Sequence, residues 1–232
     1  METHIISKES HNTIVSSSEL LKGSFTWMAY GLLVSGIIAM IVVSTPAIYS
    51  VVLGSAYGLI AFIIAELALV WYISARIHTL SPDSAKALFL IYATLSGATL
   101  SFIFVMYQIT SIISIFLSTA VLFAMLAYYG ATTKTDLTAY GKIAFIGLIT
   151  IIISSVINMF IGSTLADMII AWIGVAVFTV LTAYDTQKIA RMKADVVSVD
   201  DIKRVHVIGA LTLYLDFINL FLSLLRIFGR RR

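Results

Sequence analysis

Seven apolar runs follow one another along the chain, separated by short polar breaks. They cover approximately Phe25–Ser44, Tyr49–Ala75, Ala85–Tyr107, Ile109–Tyr129, Lys142–Gly162, Leu165–Ile189 and Val207–Phe228. A helix needs about 20 mainly apolar residues to cross the hydrocarbon layer, and each run is long enough. The two prolines of the chain, Pro46 and Pro82, fall in the first two connections, where a missing backbone donor breaks no helix. Gly54 and Gly58, four residues apart, predict a close contact between helices. The pattern predicts an all-α membrane protein with seven transmembrane helices in three parts: a polar tail over residues 1–23, a helical domain over 24–229 and a basic tail over 230–232.

The last run departs from the other six. Thr212, Asp216, Asn219, Ser223 and Arg226 recur at alternating four- and three-residue steps, so on a helix they form one polar seam down an apolar cylinder. An ionised Asp216 facing lipid costs roughly 2.5–3.5 kcal/mol on an insertion scale. The seam therefore faces protein or water, which predicts a central seventh helix wrapped by the others.

Composition sharpens the class. The chain is 60% hydrophobic and 12% charged, outside the range of ordinary soluble domains. It has no cysteine, hence neither a disulfide nor a thiolate metal site. The net charge of +3 comes from basic residues at helix ends and not from a continuous face, which argues against nucleic-acid binding. Residues 1–23 lack the apolar core and small-residue cleavage site of a signal peptide and read as a retained tail. Arg76 and Lys86 flank the second connection, Lys134 and Lys142 the fourth, and Lys188, Arg191, Lys193, Lys203 and Arg204 the sixth, whereas the first, third and fifth have none. The positive-inside rule then places the amino terminus in the cytoplasm. Seven crossings put Arg230, Arg231 and Arg232 outside, against that rule, and a re-entrant seventh segment is the alternative topology.

Away from the helix ends the apolar runs hold few ionisable groups: Glu66 in the second, Asp185 in the sixth and Asp216 in the seventh. Lipid penalises such groups, so each is a functional candidate. Arg76 ends the second run near the depth of Asp185. Contact between Asp185 and Asp216 requires a tilt or a boundary shift of about one turn. Two carboxyls that close share one proton, because two charges in a dry slot repel. The pair then has a protonated state and an ionised state, the latter open to Arg76 or to a hard cation such as Ca²⁺, which prefers oxygen ligands. Each residue also has a plainer reading. Asp185 can pair with Lys188 one turn away, Asp216 can hydrogen-bond with Asn219, Glu66 can be a protonated buried carboxyl, and Arg76 can anchor the helix at the head groups. His78 and His206 read as interfacial, Asp136 and Asp167 as parts of connections, and Asp195, Asp200 and Asp201 as a solvated linker. The tyrosines read as interfacial belts and core packing.

Three stretches carry a resemblance: Ala183-Tyr-Asp-Thr-Gln-Lys-Ile189, Leu213-Tyr-Leu-Asp-Phe-Ile-Asn-Leu-Phe-Leu-Ser-Leu-Leu-Arg226, and Thr133-Lys-Thr-Asp-Leu-Thr138 leading to Gly141. They resemble the Bax inhibitor motif (TMBIM) family of transmembrane proteins in its bacterial inner-membrane branch. The resemblance implies a seventh helix surrounded by the other six and a calcium leak controlled by an aspartate pair at Asp185 and Asp216. Arg76 resembles the family's gating arginine, and Glu66 its second-helix acid. Asn219 is a further candidate on the path. Lipid, Ca²⁺ and protons are the expected partners, with Ca²⁺ a transient ligand of the two aspartates and no tightly bound cofactor. The competing class is a regulator that binds other membrane proteins, such as a membrane-anchored quality-control protease, through residues 1–23. An intramembrane aspartyl protease is disfavoured: Leu213, Tyr214 and Leu215 stand where glycines precede the second aspartate of such enzymes, and no proline follows Pro82. No enzymatic activity is expected.

Overall fold

The computed structural model describes residues 16–52, 54–192 and 196–232. Its elements are α1 (Ser17–Ser44), α2 (Pro46–Val52), α3 (Ala56–Arg76), α4 (Pro82–Leu100), α5 (Phe102–Met106), α6 (Ile109–Thr132), α7 (Thr138–Ile161), α8 (Thr164–Arg191) and α9 (Val199–Phe228). Among the described residues seven stretches are long and apolar enough to span a membrane, with α5 continuing α4 within one of them and α2 a short helix between the first two.

Local chemistry sets the helix ends. The hydroxyls of Ser16, Ser55, Ser81, Ser163 and Ser198 each accept a backbone N–H in the first turn of the helix that follows. Pro82 occupies the first position of α4, where its missing donor is harmless. Two boundaries differ from expectation. Helix α1 begins at Ser17 rather than Phe25, with Leu20 fully buried and Ser17 Oγ donating to Ala190 O of α8 at 2.8 Å, so part of the expected polar tail is packed helix; residues 1–15 lie outside the described residues. Helix α9 begins at Val199 rather than Val207. A capping box between Ser198 and Asp201 starts it there, so Asp200 and Asp201 belong to its first turn, where acids complement the helix dipole, and not to a solvated linker. Asp195 and Lys193 lie outside the described residues. Gly58, in the first turn of α3, makes the expected close contact between helices, since a Cβ there would strike Val51 O of α2, whereas Gly54 lies in the turn between them against Ser50 O. Close approach also occurs at Gly130 of α6, where a Cβ would overlap the Ala183 carbonyl of α8.

Helix α9 packs against α1, α3, α4, α6 and α8, while α7 packs mainly on α8. Tyr214 is the hub of this packing. Fully buried, it donates to Ser96 Oγ of α4 at 2.9 Å and lies 2.6 Å from Ser35 Oγ of α1, which itself donates to Ala93 O at 2.8 Å. Edge-on contacts with Phe89 and Tyr92 complete its surroundings. Tyr214 thus does more than fill space: its hydroxyl ties three helices where no water competes.

The carboxyl-terminal arginines end the chain at the face holding the third and fifth connections. Gln108 N donates to Arg230 O at 3.0 Å and Arg232 N to Met106 O at 3.0 Å, so the tail pairs with the third connection as a short antiparallel bridge. Asp167, in the first turn of α8 at the same face, lies 3.3 Å from Arg226 and 4.0 Å from Arg231. Helix α9 therefore crosses completely rather than re-entering, and Asp167 is the ion-pair partner of this basic end rather than a passive part of a connection.

Candidate functional site

The polar seam of α9 sorts itself by donor chemistry. Thr212 Oγ1 donates to Ile208 O at 3.0 Å, Asn219 Nδ2 to Leu215 O at 2.7 Å, and Ser223 Oγ to Asn219 O at 2.7 Å, all one turn back on the same helix. Arg226 reaches Asp167. Asp216 has no such outlet, because an ionised carboxyl only accepts hydrogen bonds and the backbone N–H groups of a helix interior are already used. It is only 4% exposed, and its Oδ2 has no hydrogen-bond partner.

The group that meets Asp216 is Asp185. The two carboxyls lie within hydrogen-bonding reach of one another. Both are acceptors when ionised, so this bond exists only with a proton on one of them. Register explains the meeting. Ile189 of α8 lies against Gly209 of α9, about 6 Å along α8 from Asp185 and about 10.5 Å along α9 from Asp216 at 1.5 Å per residue, so the antiparallel pairing brings the two acids to within about one turn of the same level and their side chains span the rest. Asp185 forms no ion pair with Lys188, although Lys188 is near enough to act on it electrostatically. Asn219 bonds its own helix and not Asp216.

The pair forms part of the wall of a cavity of about 980 Å³ between α3, α4, α7, α8 and α9. Glu66 lines it and accepts from Thr99 Oγ1 at 2.6 Å, so its carboxylate is bonded by a hydroxyl rather than by a backbone carbonyl. Thr212 and Asn219 line it too, as do Lys142 and Lys188. The remaining wall is largely apolar, and several of its residues, including Leu67 (63% exposed) and Ile146 (66%), open onto the molecule's lateral surface. Because α3 and α7 flank this opening without packing on one another, the face of α9 carrying Asp216 is covered by a cavity and not by a sixth helix. Here the expected ring of six neighbours is incomplete. Among the described residues no three His, Cys, Asp or Glu side chains cluster to hold a metal.

Arg76 is not brought to the pair. It is exposed, does not line the cavity, and forms no side-chain hydrogen bond or ion pair among the described residues. It ends α3 at the second connection, where the backbone carbonyl accepts from Thr79 and the side chain is left to the head-group region. In this arrangement the lock expected of Arg76 is not made.

Two of the resembling stretches join at one point. Gln187 Nε2 donates to Thr135 O at 2.8 Å and its Oε1 accepts from Leu137 N at 2.9 Å, so a single side chain of α8 clamps the fourth connection two residues beyond Asp185. Asp136 caps Thr138 and lies 2.8 Å from Arg191 Nη1. These contacts hold its carboxyl down to about 2, through the Thr138 hydroxyl and N–H first and Arg191 after. Gln187 was missed in the sequence, where a glutamine near a helix end is unremarkable. His206, expected at an interface, is half-buried between α1 and α9 against Gly23, and its Nε2 has no partner.

The family model described as inhibitor of apoptosis-promoting Bax1 matches residues 17–232. The chain belongs to the Bax inhibitor family. Inner membrane protein YbhL of Escherichia coli K12 is 43% identical over 210 residues, 90% of each chain. A protein of Borreliella burgdorferi is 40% identical over 220 residues, 94% of this chain and 95% of its own. A membrane protein of Streptococcus pyogenes serotype M3 is 44% identical over 191 residues, 82% of this chain and 78% of its own. With seven apolar spanning helices, this Bax inhibitor family member is an integral membrane protein.

Proposed function

We propose that the chain is a pH-sensitive leak path for Ca²⁺ or a similar cation, with its amino terminus in the cytoplasm and the Asp185–Asp216 pair as the proton-sensitive element. The observation that carries this reading is the orphaned Oδ2 of Asp216 in a carboxyl pair on a cavity wall. With one proton between them the carboxyls bond and hold α8 to α9. Without it, two negative charges repel across a cavity that admits water, and their oxygens become ligands for a hard cation. Other groups set the field at the pair: Lys188 on α8, Lys142 on α7, Glu66 on α3 and Tyr92 on α4, all lining the same cavity. Two carboxylates completed by water make a weak Ca²⁺ site, which suits an ion that must leave again.

The test is Ca²⁺ flux into liposomes holding the purified protein, measured from pH 5 to 8. The wild type is expected to respond to pH, and Asp185→Asn and Asp216→Asn each to flatten that response, since an amide cannot exchange the shared proton. A full pH response in both variants rejects the pair as sensor. Absence of flux above empty liposomes at every pH rejects the leak itself.

A further inference from the structure

We propose that the lateral cavity is a binding site for a primary alkylammonium, a single apolar chain carrying an –NH₃⁺ group, which enters from the bilayer between α3 and α7 and donates to Asp216. The inference uses the cavity and its chemistry, and it stands whether or not ions pass through the protein.

Three observations converge. The first is the acceptor: Asp216 is almost wholly buried, lines the cavity with Asp185, and its Oδ2 has no hydrogen-bond donor. The second is charge. Glu66, Asp185 and Asp216 line one cavity, whereas its cations, Lys142 and Lys188, belong to the early part of α7 and the late part of α8, beside the fourth connection. An incoming ammonium is attracted to the carboxyls and kept from that end. The third is shape. At about 980 Å³ the cavity is at the upper end of the roughly 300–1,000 Å³ usual for small-molecule sites, and its mouth is apolar and open to lipid.

The chemistry narrows the occupant further. An alkyl chain gains little by leaving lipid for an apolar slot, since lipid tails are as apolar as the side chains they face. Selectivity must therefore come from the head. A primary ammonium supplies three N–H donors to a carboxylate, a charge-assisted bond favoured where water is scarce. A quaternary ammonium offers the charge without donors, and an alcohol offers a donor without charge. A phospholipid amine carries a phosphate next to its ammonium, which the same carboxyls repel.

The experiment uses the full chain in phosphatidylcholine nanodiscs at pH 7.5 and radiolabelled dodecylammonium, with dodecanol and dodecyltrimethylammonium as comparators and empty discs as background. Saturable binding of one dodecylammonium per chain is expected, about tenfold tighter than dodecanol and several-fold tighter than the quaternary analogue. Asp216→Asn is expected to remove about nine-tenths of the affinity by the same reasoning. Because that variant acts in the core, Ile146→Trp at the lipid-facing mouth provides a second arm: it fills the opening without touching the buried helices and is expected to block binding. Ile153→Trp, on the same helix but outside the lining, is expected to bind as wild type. Equal retention of dodecanol and dodecylammonium overturns the proposal, as does undiminished binding in Ile146→Trp. Displacement of the probe by adding phosphatidylethanolamine to the discs overturns the single-chain occupant in favour of a bilayer lipid. Binding is read directly, so a protein that binds the amine but passes no Ca²⁺ rejects the leak and leaves this site intact.

Discussion

Helices α7 and α9 are the two extremes of this molecule, and their places are the reverse of what a soluble protein would assign. Of the spanning stretches, α7 is the most apolar and α9 the least. Yet 56% of the apolar spanning stretch of α9 is buried, against 6% of that of α7. In water the most apolar element goes inside, because burial removes apolar area from solvent. In lipid that force between helices vanishes, and what must be hidden is polarity. Helix α9 carries the groups lipid will not accept and so is buried against five neighbours; α7 carries fewer and faces the bilayer along most of its length. The same contrast explains why the cavity stands beside α9. Polar groups that cannot bond their own helix need space for a proton, a water or a ligand.

The comparison is broken most severely by matched truncations. Tyr214→Ala on α9 removes a buried ring and the hydroxyl joining α1, α4 and α9, and it is expected to cost on the order of 3 kcal/mol, read as a large fall in the detergent unfolding midpoint. Ile153→Ala on α7 removes an exposed chain from a lipid-facing surface and is expected to change stability by less than about 0.5 kcal/mol. Similar losses in the two would mean that α7 is packed against a partner. A charge placed on each helix reverses the order. Ile153→Asp is expected to cost about 2.5–3.5 kcal/mol in a membrane-insertion assay, whereas the native Asp216 is accommodated; insertion of Ile153→Asp at wild-type efficiency would show that this face meets water.

A smaller effect separates the buried acid pair from the exposed one. Asp136 has its carboxyl lowered to about 2 by Thr138 and Arg191. A group depressed on folding stabilises the fold above its unfolded value near 4, and the contribution disappears only as pH falls through about 2. Asp136→Asn is therefore expected to leave any pH response between 5 and 8 unchanged; loss of that response would move the sensor from the bundle interior to the fourth connection. The smallest effect belongs to Arg76→Ala. An exposed arginine without a partner among the described residues has little to lose, and leak and stability are expected to stay near wild type. A marked rise in flux would mean that Arg76 holds Asp185 in another conformation.

Much of this was legible in the chain itself. Seven spans, their short connections and a polar seam on the last follow from hydropathy and from three- and four-residue spacing, because lipid enforces backbone bonding within each helix and makes every buried charge conspicuous. Asp185, Asp216 and Glu66 stand out for that reason. Gln187 and Tyr214 do not, since both are ordinary residues whose importance depends on what lies opposite. The start of α9 at Val199 was hidden as well, because its first two turns are polar and charged, and their helicity depends on the Ser198 cap rather than on an apolar period.

The sequence by itself determined that this is a bundle of seven apolar helices with three acids that lipid would reject, Glu66, Asp185 and Asp216. The tertiary structure alone decided that Asp185 and Asp216 meet, that Arg76 stands apart from them, that Asp167 answers the terminal arginines, and that one side of α9 is left to a cavity. The physical reason is that periodicity reports which face of a helix is polar, whereas the register between neighbouring helices depends on close approaches such as Ile189 on Gly209, whose partners are far apart in the chain.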